Sequence, residues 1–275
     1  MKIFFNLLFI SSTTIYCQNT NIVQNQSESF PSLNDDLNSF FHTGEKLFIA
    51  PGRFDKKDWI TLTSIIALTG SSTFLDQNNR DFWLNNRSET LHDISTVGRL
   101  YGEISYAGIL SGTLYLGGKI SRNKELAITG RMLIEGLFYA GLTTTVIKFV
   151  TGRSRPYTND DHLTFRFFQT ENDYMAFPSG HSTVAFTLSS ILSDRIDNTY
   201  ASIGLYSIAL LTLWQRMYSD NHWLSDTIMG AAIGYFIGKA VVKFDDASDF
   251  NEMNLNNPEL NNSPYYELFS LTYSF

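Results

Sequence analysis

Six apolar segments of helical length, separated by polar turns, occupy most of the chain between residues 58 and 244. They are rich in Gly, Ala, Ser and Thr, the residues that let helices pack closely. The segments cover residues 59–75, 104–120, 131–150, 182–192, 200–214 and 227–242, and the polar stretch 76–99 adds a short amphipathic helix. We therefore predict an all-α fold, a compact bundle of about six core helices whose composition also permits embedding in a membrane.

The regions on either side of this bundle differ from it in composition. Residues 18–57 are largely polar and lack periodicity, which indicates a mobile N-terminal tail ahead of a helical domain at 58–244. Residues 245–275 begin as an acidic, Asn-rich linker. They end in alternating apolar and hydroxyl side chains, the pattern of a short strand-like tail. A lone strand cannot form a barrel, since its edges stay unpaired.

The N-terminus has the features of an export signal. Lys2 supplies a positive charge, and residues 3–15 are largely apolar but too short for a standard membrane span. Cleavage after Cys17 would remove the only cysteine, so no disulfide could form, whereas acylation of Cys17 is the alternative. We expect residues 1–17 to be a signal peptide and the domain to lie on the periplasmic side of a bacterial envelope.

Composition argues against two classes of partner. The formal net charge is −7, whereas proteins that bind nucleic acids usually present basic surfaces. The sequence has no cluster of carboxylates or cysteines that suggests a metal site, so we predict neither a metal nor another cofactor.

Arg216, His222 and Asp226 form the first group of candidate catalytic residues. His222 and Asp226 are four residues apart, so a helix that starts near His222 places both side chains on one face. Asp226 can then accept a hydrogen bond from one imidazole nitrogen and leave the other nitrogen free to attack. The planar guanidinium of Arg216 suits two phosphate oxygens. Taken alone, the group is better explained as a surface His–Asp pair near an unrelated arginine.

Ser179, Gly180 and His181 precede an apolar helix and form the second group. Ser179 has the character of an N-cap, and Gly180 lets a ligand approach the backbone. The free amides of the first turn then point at an anion, beside which His181 could donate a proton. An ordinary capped helix start gives the same pattern.

Lys148 and Arg155 form the third group, around the end of the segment 131–150. The positive charge of Lys148 at the end of this helix interacts favourably with the helix dipole, and Arg155 follows close enough to reach the same phosphate. Pro156 restricts the backbone of the chain beyond Arg155. Arg153 adds a nearby charge. A basic loop that flanks a membrane span would also account for this segment.

Together the three groups are far more specific than any one of them. In order and spacing they resemble the type 2 phosphatidic acid phosphatase superfamily, which includes class A acid phosphatases and vanadium haloperoxidases. The family pattern is K-x6-R-P, then P-S-G-H, then S-R-x5-H-x3-D. It is matched here by Lys148, Arg155, Pro156, residues 178–181, Arg216, His222 and Asp226. Gln215 stands where the family usually has Ser, and the resemblance covers about residues 59–242.

The resemblance implies a role for each matching residue. His222 is expected to be the nucleophile, with Asp226 orienting it, and His181 to protonate the leaving oxygen and then activate water. The expected phosphate-binding residues are Lys148, Arg155, Arg216, Ser179 and Gly180. The chain is therefore expected to be an exported phosphatase acting on lipid phosphate or diphosphate monoesters. Alternatives are a soluble acid phosphatase for small phosphate esters, a vanadate-dependent haloperoxidase and a non-catalytic membrane scaffold.

The predicted export signal, six membrane spans and an outward-facing site conflict with one another. Lipid phosphatases of the family have six spanning helices and an outward-facing site, but an export signal followed by six spans would place this site in the cytoplasm. The mean hydropathy of −0.10 is low for six spans, and charges such as Arg131, Glu135 and Lys239 fall within or at the ends of the segments. Either the helices do not all cross the bilayer, so that the domain is a soluble or peripheral periplasmic one, or the N-terminus is not read as a signal. Of these arrangements we expect one that is associated with the membrane, because the turns and the segment order resemble the membrane branch of the family.

Overall fold

The described part of the chain is almost entirely helical. The computed structural model describes residues 30–255, with side chains described for residues 30–245. Within that range lie the helices α1 (Leu33–Ile49), α2 (Lys56–Ser72), α3 (Asp76–Asn85), α4 (Glu89–Tyr101), α5 (Ile104–Ser121), α6 (Lys124–Thr151), α7 (Gly180–Ile196), α8 (Thr199–Tyr218) and α9 (Leu224–Leu255). The predicted all-α class is confirmed, and the six apolar segments fall on α2 and on α5 to α9.

Helix α1 lies within the segment that the sequence predicted to be a mobile polar tail, and the structure corrects that prediction from residue 33 onward. Ser32 and Asp35 form a capping box, a reciprocal pair of hydrogen bonds that defines the helix start. The buried carboxylate of Asp36 lies 2.6 Å from Lys119 Nζ on α5 and 3.6 Å from Arg131 Nε on α6. Asp36 is thus a polar residue of this segment that faces charged partners inside the bundle.

Two other boundaries differ from the sequence prediction. The polar stretch 76–99 forms two helices, α3 and α4, because Ser88 caps a new helix start. Helix α9 continues past the predicted linker start to Leu255, since no Gly or Pro follows its last glycine before Pro258. The predicted signal peptide and the strand-like C-terminal tail lie outside the described residues.

Helix α7 packs against α6, α8 and α9. Its contact with α9 is close because glycines of α9 face it. A Cβ on Gly230 would lie 2.3 Å from Ser179 O, and one on Gly234 would lie 2.3 Å from Thr183 O. Small residues at this spacing let two helices approach backbone to backbone. The contact holds the start of α7 beside the start of α9, where two of the predicted motifs lie.

The interior of the bundle combines an apolar core, in which Met132 and Leu133 are completely buried, with small polar residues. On α7, Thr187, Ser189 and Ser190 are completely buried. Further large apolar side chains are exposed on the outer faces of α5, α6 and α8, a surface that we call the apolar belt. On α6 this belt is a stripe, 40–53% exposed, of Ile134, Phe138, Leu142, Val146 and Phe149. An extended apolar surface of this kind marks a region that contacts lipid or protein.

Among the residues that the structure describes, two helices are long and apolar enough to cross a membrane, namely α6 over Lys124–Thr151 and α9 over Leu224–Asp245. Core helices of soluble proteins meet the same criterion, but those are mostly buried. Only 33% of the α6 window and 50% of the α9 window are buried here. The length of α6 and α9 and the large exposed share of both helices therefore agree with the apolar belt.

Candidate active site

Four helix ends meet at one end of the bundle and bring the predicted residues together. Lys148 lies in the last turn of α6, Ser179 caps α7, Arg216 lies in the last turn of α8, and Asp226 lies in the first turn of α9. Backbone hydrogen bonds tie these ends: Ser179 N donates to Asp226 O at 2.9 Å, and His222 N donates to Arg216 O at 3.2 Å. Residues from three separate motifs thus share one site.

The start of α7 forms an anion-binding helix end. Oγ of Ser179 accepts hydrogen bonds from Ser182 N at 3.4 Å and from Ser182 Oγ at 3.0 Å. At Gly180 a Cβ would lie 3.9 Å from Lys148 Cε, so the lysine side chain passes close to this first turn. Free amides at a helix start and a nearby ammonium group both attract an anion.

Arg155 and Arg216 are buried and are oriented by polar neighbours. Nε and Nη2 of Arg155 donate to the backbone and side-chain oxygens of Asn172, at 2.8 and 2.9 Å. Nη1 of Arg216 donates to Gln215 Oε1 at 3.3 Å, so the residue that departs from the family pattern contacts this guanidinium. The buried Nε of Arg216 has no hydrogen-bond partner among the described residues. An unsatisfied buried donor of this kind favours a bound acceptor.

His222 and Asp226 face each other in the interior. Nδ1 of His222 lies 3.5 Å from Asp226 Oδ2, and Trp223 N donates to the same oxygen at 2.9 Å. Asp226 is completely buried and His222 is 4% exposed. At this distance the two groups form no hydrogen bond, and Nδ1 of His222 has no hydrogen-bond partner among the described residues. A protonated Nδ1 would face the carboxylate, which leaves Nε2 as the nitrogen that can react with a substrate.

Both histidines are held in the neutral form by burial and positive charge. Burial lowers the pKa of His222 well below its usual value, and the charges of Lys148 and nearby arginines lower it further. Burial and the charge of Arg216 are the main causes that lower the pKa of His181 to about 3. Neither imidazole lies in the two helices long enough to cross a membrane. A neutral imidazole is the form that can attack or accept a proton.

Glu103 is a site residue that the sequence did not indicate. Its Oε2 lies 3.3 Å from His181 Nε2, and both side chains are partly exposed. Glu103 directly precedes α5, more than seventy residues before His181, and no motif links the two. The pair places a carboxylate beside an imidazole that is expected to transfer protons.

Arg153 and Asp76 belong to a second buried group that the sequence did not assign. Arg153 Nη1 donates to Asp226 Oδ1 at 2.6 Å, and Arg153 Nη2 donates to Asp76 Oδ2 at 2.7 Å. Ser225 donates to Asp76 from its N at 2.9 Å and from its Oγ at 2.6 Å. All four side chains are at most 1% exposed. Sequence reasoning found Arg153 only as a nearby charge, because nothing in the sequence pairs it with Asp76.

The arrangement combines three cations, a helix N-terminus and two neutral histidines that each face a carboxylate. Such a set can bind a tetrahedral anion, attack its central atom and transfer protons. In the part of the chain that the structure describes, no group of three or more His, Cys, Asp or Glu side chains could hold a metal ion.

Two relatives from Porphyromonas gingivalis share sequence with this chain. One is a lipid A 4'-phosphatase, 26% identical over 122 residues, and the other is a lipid A 1-phosphatase, 29% identical over 115 residues. The matches cover 44% and 40% of this chain. They cover 52% of the first relative and 23% of the second, so the chain spans about half of one and about a quarter of the other.

Two solved structures are also similar. The crystal structure of Aquifex aeolicus LpxE has 21% sequence identity and a TM-score of 0.49, and the match covers 62% of this chain and 95% of that one. The transmembrane PAP2 type phosphatidylglycerolphosphate phosphatase from Bacillus subtilis has 18% identity and a TM-score of 0.46, with 77% and 96% covered.

The family model of the PAP2 superfamily matches residues 130–249. This range contains all three motifs, from Lys148 to Asp226. The resemblance that the motif spacing indicated is therefore confirmed by a match to the family model over residues 130–249.

Proposed function

We propose that this chain is an exported, membrane-associated phosphatase that hydrolyses phosphate or diphosphate monoesters of a lipid through a phosphohistidine intermediate. The observation that carries the proposal is the convergence of Lys148, Arg155 and Arg216 on His181 and His222, at the end of a bundle that is apolar outside. Phosphoryl transfer depends mainly on positioning and charge neutralisation, and this set supplies both.

In the first step, His222 Nε2 attacks phosphorus while the bond from phosphorus to the lipid oxygen breaks. Asp226 holds the Nδ1 proton and stabilises the positive charge of the phosphorylated ring. The bound phosphate offsets the surrounding cations, so the pKa of His181 rises and the protonated ring can give its proton to the leaving oxygen. The phosphate oxygens are held by Lys148, Arg155, Arg216, Ser179 and the Gly180 amide.

In the second step, water hydrolyses the phosphohistidine. His181, neutral after the first step, takes a proton from the water as its oxygen attacks phosphorus. The bond from phosphorus to His222 Nε2 breaks, inorganic phosphate leaves, and both rings return to their starting protonation states.

The surface beside the site supports a lipid substrate. Phe149, at the site end of the α6 stripe, packs against Phe168 with ring centroids 5.7 Å apart. Phe167 and Phe168 are 64% and 65% exposed, so the apolar belt continues onto the loop between the first two motifs. Exposed aromatic rings at this position suit a membrane interface, where lipid headgroups lie. Because both curated relatives are named lipid A phosphatases, the phosphates of lipid A are the first substrates to test.

A substrate panel tests the activity. We expect the purified protein in detergent to hydrolyse at least one lipid phosphate with kcat/KM at least about tenfold above that for p-nitrophenyl phosphate, because binding of the remote lipid contributes to the transition state. The panel contains lipid A with its 1- and 4'-phosphates, phosphatidate and a polyprenyl diphosphate, and released phosphate is measured. A soluble ester hydrolysed faster than every lipid indicates a general acid phosphatase. Halide oxidation that requires vanadate indicates a haloperoxidase, and no turnover of any kind indicates a scaffold.

The helix order constrains which compartment the site faces. Helix α2 ends beside Asp76 and α9 begins beside Asp226, so both run between the site and the opposite end of the bundle. If all six core helices crossed, the chain before α2 and the site would lie on opposite sides. We propose that the site faces the periplasm and that not all six core helices cross the bilayer. Helices α2, α5 and α7 have 17 or 18 residues, or about 26 Å, which is less than the roughly 30 Å of a bilayer core.

Single-cysteine labelling tests this orientation, because Cys17→Ser removes the only cysteine. In that background we expect Leu163→Cys, which is 57% exposed in the loop beside the site, to react with a membrane-impermeant maleimide in cells with a permeabilised outer membrane. Ser121→Cys, at the exposed end of α5, is the matched position at the opposite end and should stay unlabelled. The reverse pattern places the site in the cytoplasm. Labelling of both, with release by alkaline carbonate, refutes membrane embedding.

A further inference from the structure

We propose that Arg153 and Asp76 are positioning residues for the nucleophile. Arg153 fixes the carboxylate of Asp226 that orients His222, and Asp76 holds Arg153 in place and balances its charge. The inference rests on the proposed function, because it assigns these residues to the reaction of His222 with phosphate.

The two oxygens of Asp226 have different partners. Oδ1 accepts a hydrogen bond from Arg153 Nη1 at 2.6 Å. Oδ2 accepts one from Trp223 N at 2.9 Å and lies 3.5 Å from His222 Nδ1. A carboxylate held at both oxygens cannot rotate, so the plane that Oδ2 presents to the imidazole is set by Arg153 and by the backbone of Trp223. Groups that lock a catalytic side chain in this way control the geometry of the reaction.

Arg153 has no donor left for a phosphate. Its Nη1 donates to Asp226 and to Ser225 Oγ, and its Nη2 donates to Asp76 and to His162 O. Its Nε also donates to His162 O, at 2.9 Å. A guanidinium has five N–H groups, and these five hydrogen bonds use all of them. Arg216, by contrast, keeps a buried Nε without a partner among the described residues. The two arginines therefore have different tasks.

The charge of Arg153 needs a second carboxylate. Arg153, Asp76 and Asp226 are at most 1% exposed, so water screens their charges poorly. With Asp76 ionised, the trio keeps a net negative charge that favours a positive ring on His222. Without it, the guanidinium would cancel the charge of Asp226 in a site that already holds Lys148. Asp76 also accepts two hydrogen bonds from Ser225, which fixes it against the start of α9.

Steady-state kinetics of Asp76→Asn test the proposal. We expect kcat to fall about 10- to 100-fold, the usual range for a group that orients a catalytic residue, with KM and the inhibition constant of inorganic phosphate changed less than about threefold. Arg153→Lys keeps the charge but loses the planar fork, and should show the same split. Asp58→Asn is the matched control, since Asp58 is a buried helix-capping carboxylate at the far end of α2. It should lower thermal stability without changing kcat per folded molecule.

Equal losses of kcat per folded molecule in Asp76→Asn and Asp58→Asn would overturn the proposal, as would a change confined to KM. If Arg153→Lys does not fold, the double variant Asp76→Asn/Arg153→Gln removes both buried charges together. It should fold and keep the low kcat with normal affinity for inorganic phosphate, whereas wild-type kcat in this variant would also overturn the proposal.

A second measurement does not depend on turnover. In the vanadate complex, the Nδ1 proton of His222 should give a strongly downfield NMR resonance that reports its hydrogen bond to Asp226. We expect this resonance to shift or disappear in Asp76→Asn and to persist in Asp58→Asn. Failure of the wild-type protein to hydrolyse any phosphate ester would refute the proposed function alone. An unchanged resonance in Asp76→Asn would refute the positioning role alone.

Discussion

Replacement of His222 by alanine is expected to lower phosphate release by about 10⁴-fold or more, because it removes the atom that bonds to phosphorus. Binding should survive, since Lys148, Arg155 and Arg216 still surround the phosphate position. Inorganic phosphate, which forms no bond to the ring when it binds, should therefore bind the variant within about tenfold of its wild-type affinity. The measurements are initial rates on the preferred lipid phosphate and phosphate binding by calorimetry.

His92→Ala is the matched control, because His92 is an exposed histidine on α4. It should keep wild-type activity. Brief exposure to ³²P-labelled substrate followed by an alkaline quench should leave label on the wild-type protein and on His92→Ala, and none on His222→Ala. A folded His222→Ala protein that retains a tenth of the activity or carries label would exclude His222 as the nucleophile.

Replacement of His181 by alanine is expected to lower kcat about 10²- to 10⁴-fold on a lipid phosphate, because the leaving alkoxide then departs without a proton. The loss should be much smaller for the first step with p-nitrophenyl phosphate, whose leaving group needs no proton. The second step should stay slow with either substrate, since no base activates water. Rapid mixing should therefore show a burst of nitrophenol equal to the enzyme concentration, followed by slow turnover.

The same variant should accumulate the phosphohistidine that the wild-type protein hydrolyses quickly. Label trapped at alkaline pH should exceed that on the wild-type protein under the same conditions. A loss of activity that is equal for both leaving groups, without a burst, would contradict the acid and base roles of His181. Glu103→Gln tests the carboxylate beside this ring, because Glu103 Oε2 lies 3.3 Å from His181 Nε2.

The sequence alone predicted those features of the site that depend on residues close together in the chain. His222 and Asp226 are separated by one helical turn, so their spacing predicted a contact that the structure contains. Ser179 was recognisable as an N-cap from its place before an apolar run, and it caps α7. The apolar segments predicted the core helices because each is longer than a helical turn and is bounded by polar residues.

The residues that sequence reasoning missed depend on contacts between distant segments. Asp76 and Ser225 are 149 residues apart and meet only when α3 packs beside the start of α9. Glu103 reaches His181 in the same way, from the start of α5. Helix α1 was predicted to be a tail because Asp36 and its neighbours are polar, and their partners Lys119 and Arg131 lie on other helices. Propensity and periodicity do not contain such information.

The contrast between the glycines where α9 meets α7 and the large residues of the apolar belt determines which substitutions the bundle can tolerate. At Gly230, where a Cβ would lie 2.3 Å from Ser179 O, even one added methyl group displaces backbone, and with it the start of the anion-binding helix. At Leu142, which is 52% exposed on the outer stripe of α6, exchange for another large apolar residue alters mainly the surface. Selection on this chain should therefore restrict size most strictly at such close-contact glycines, and restrict mainly polarity along the exposed stripe of α6.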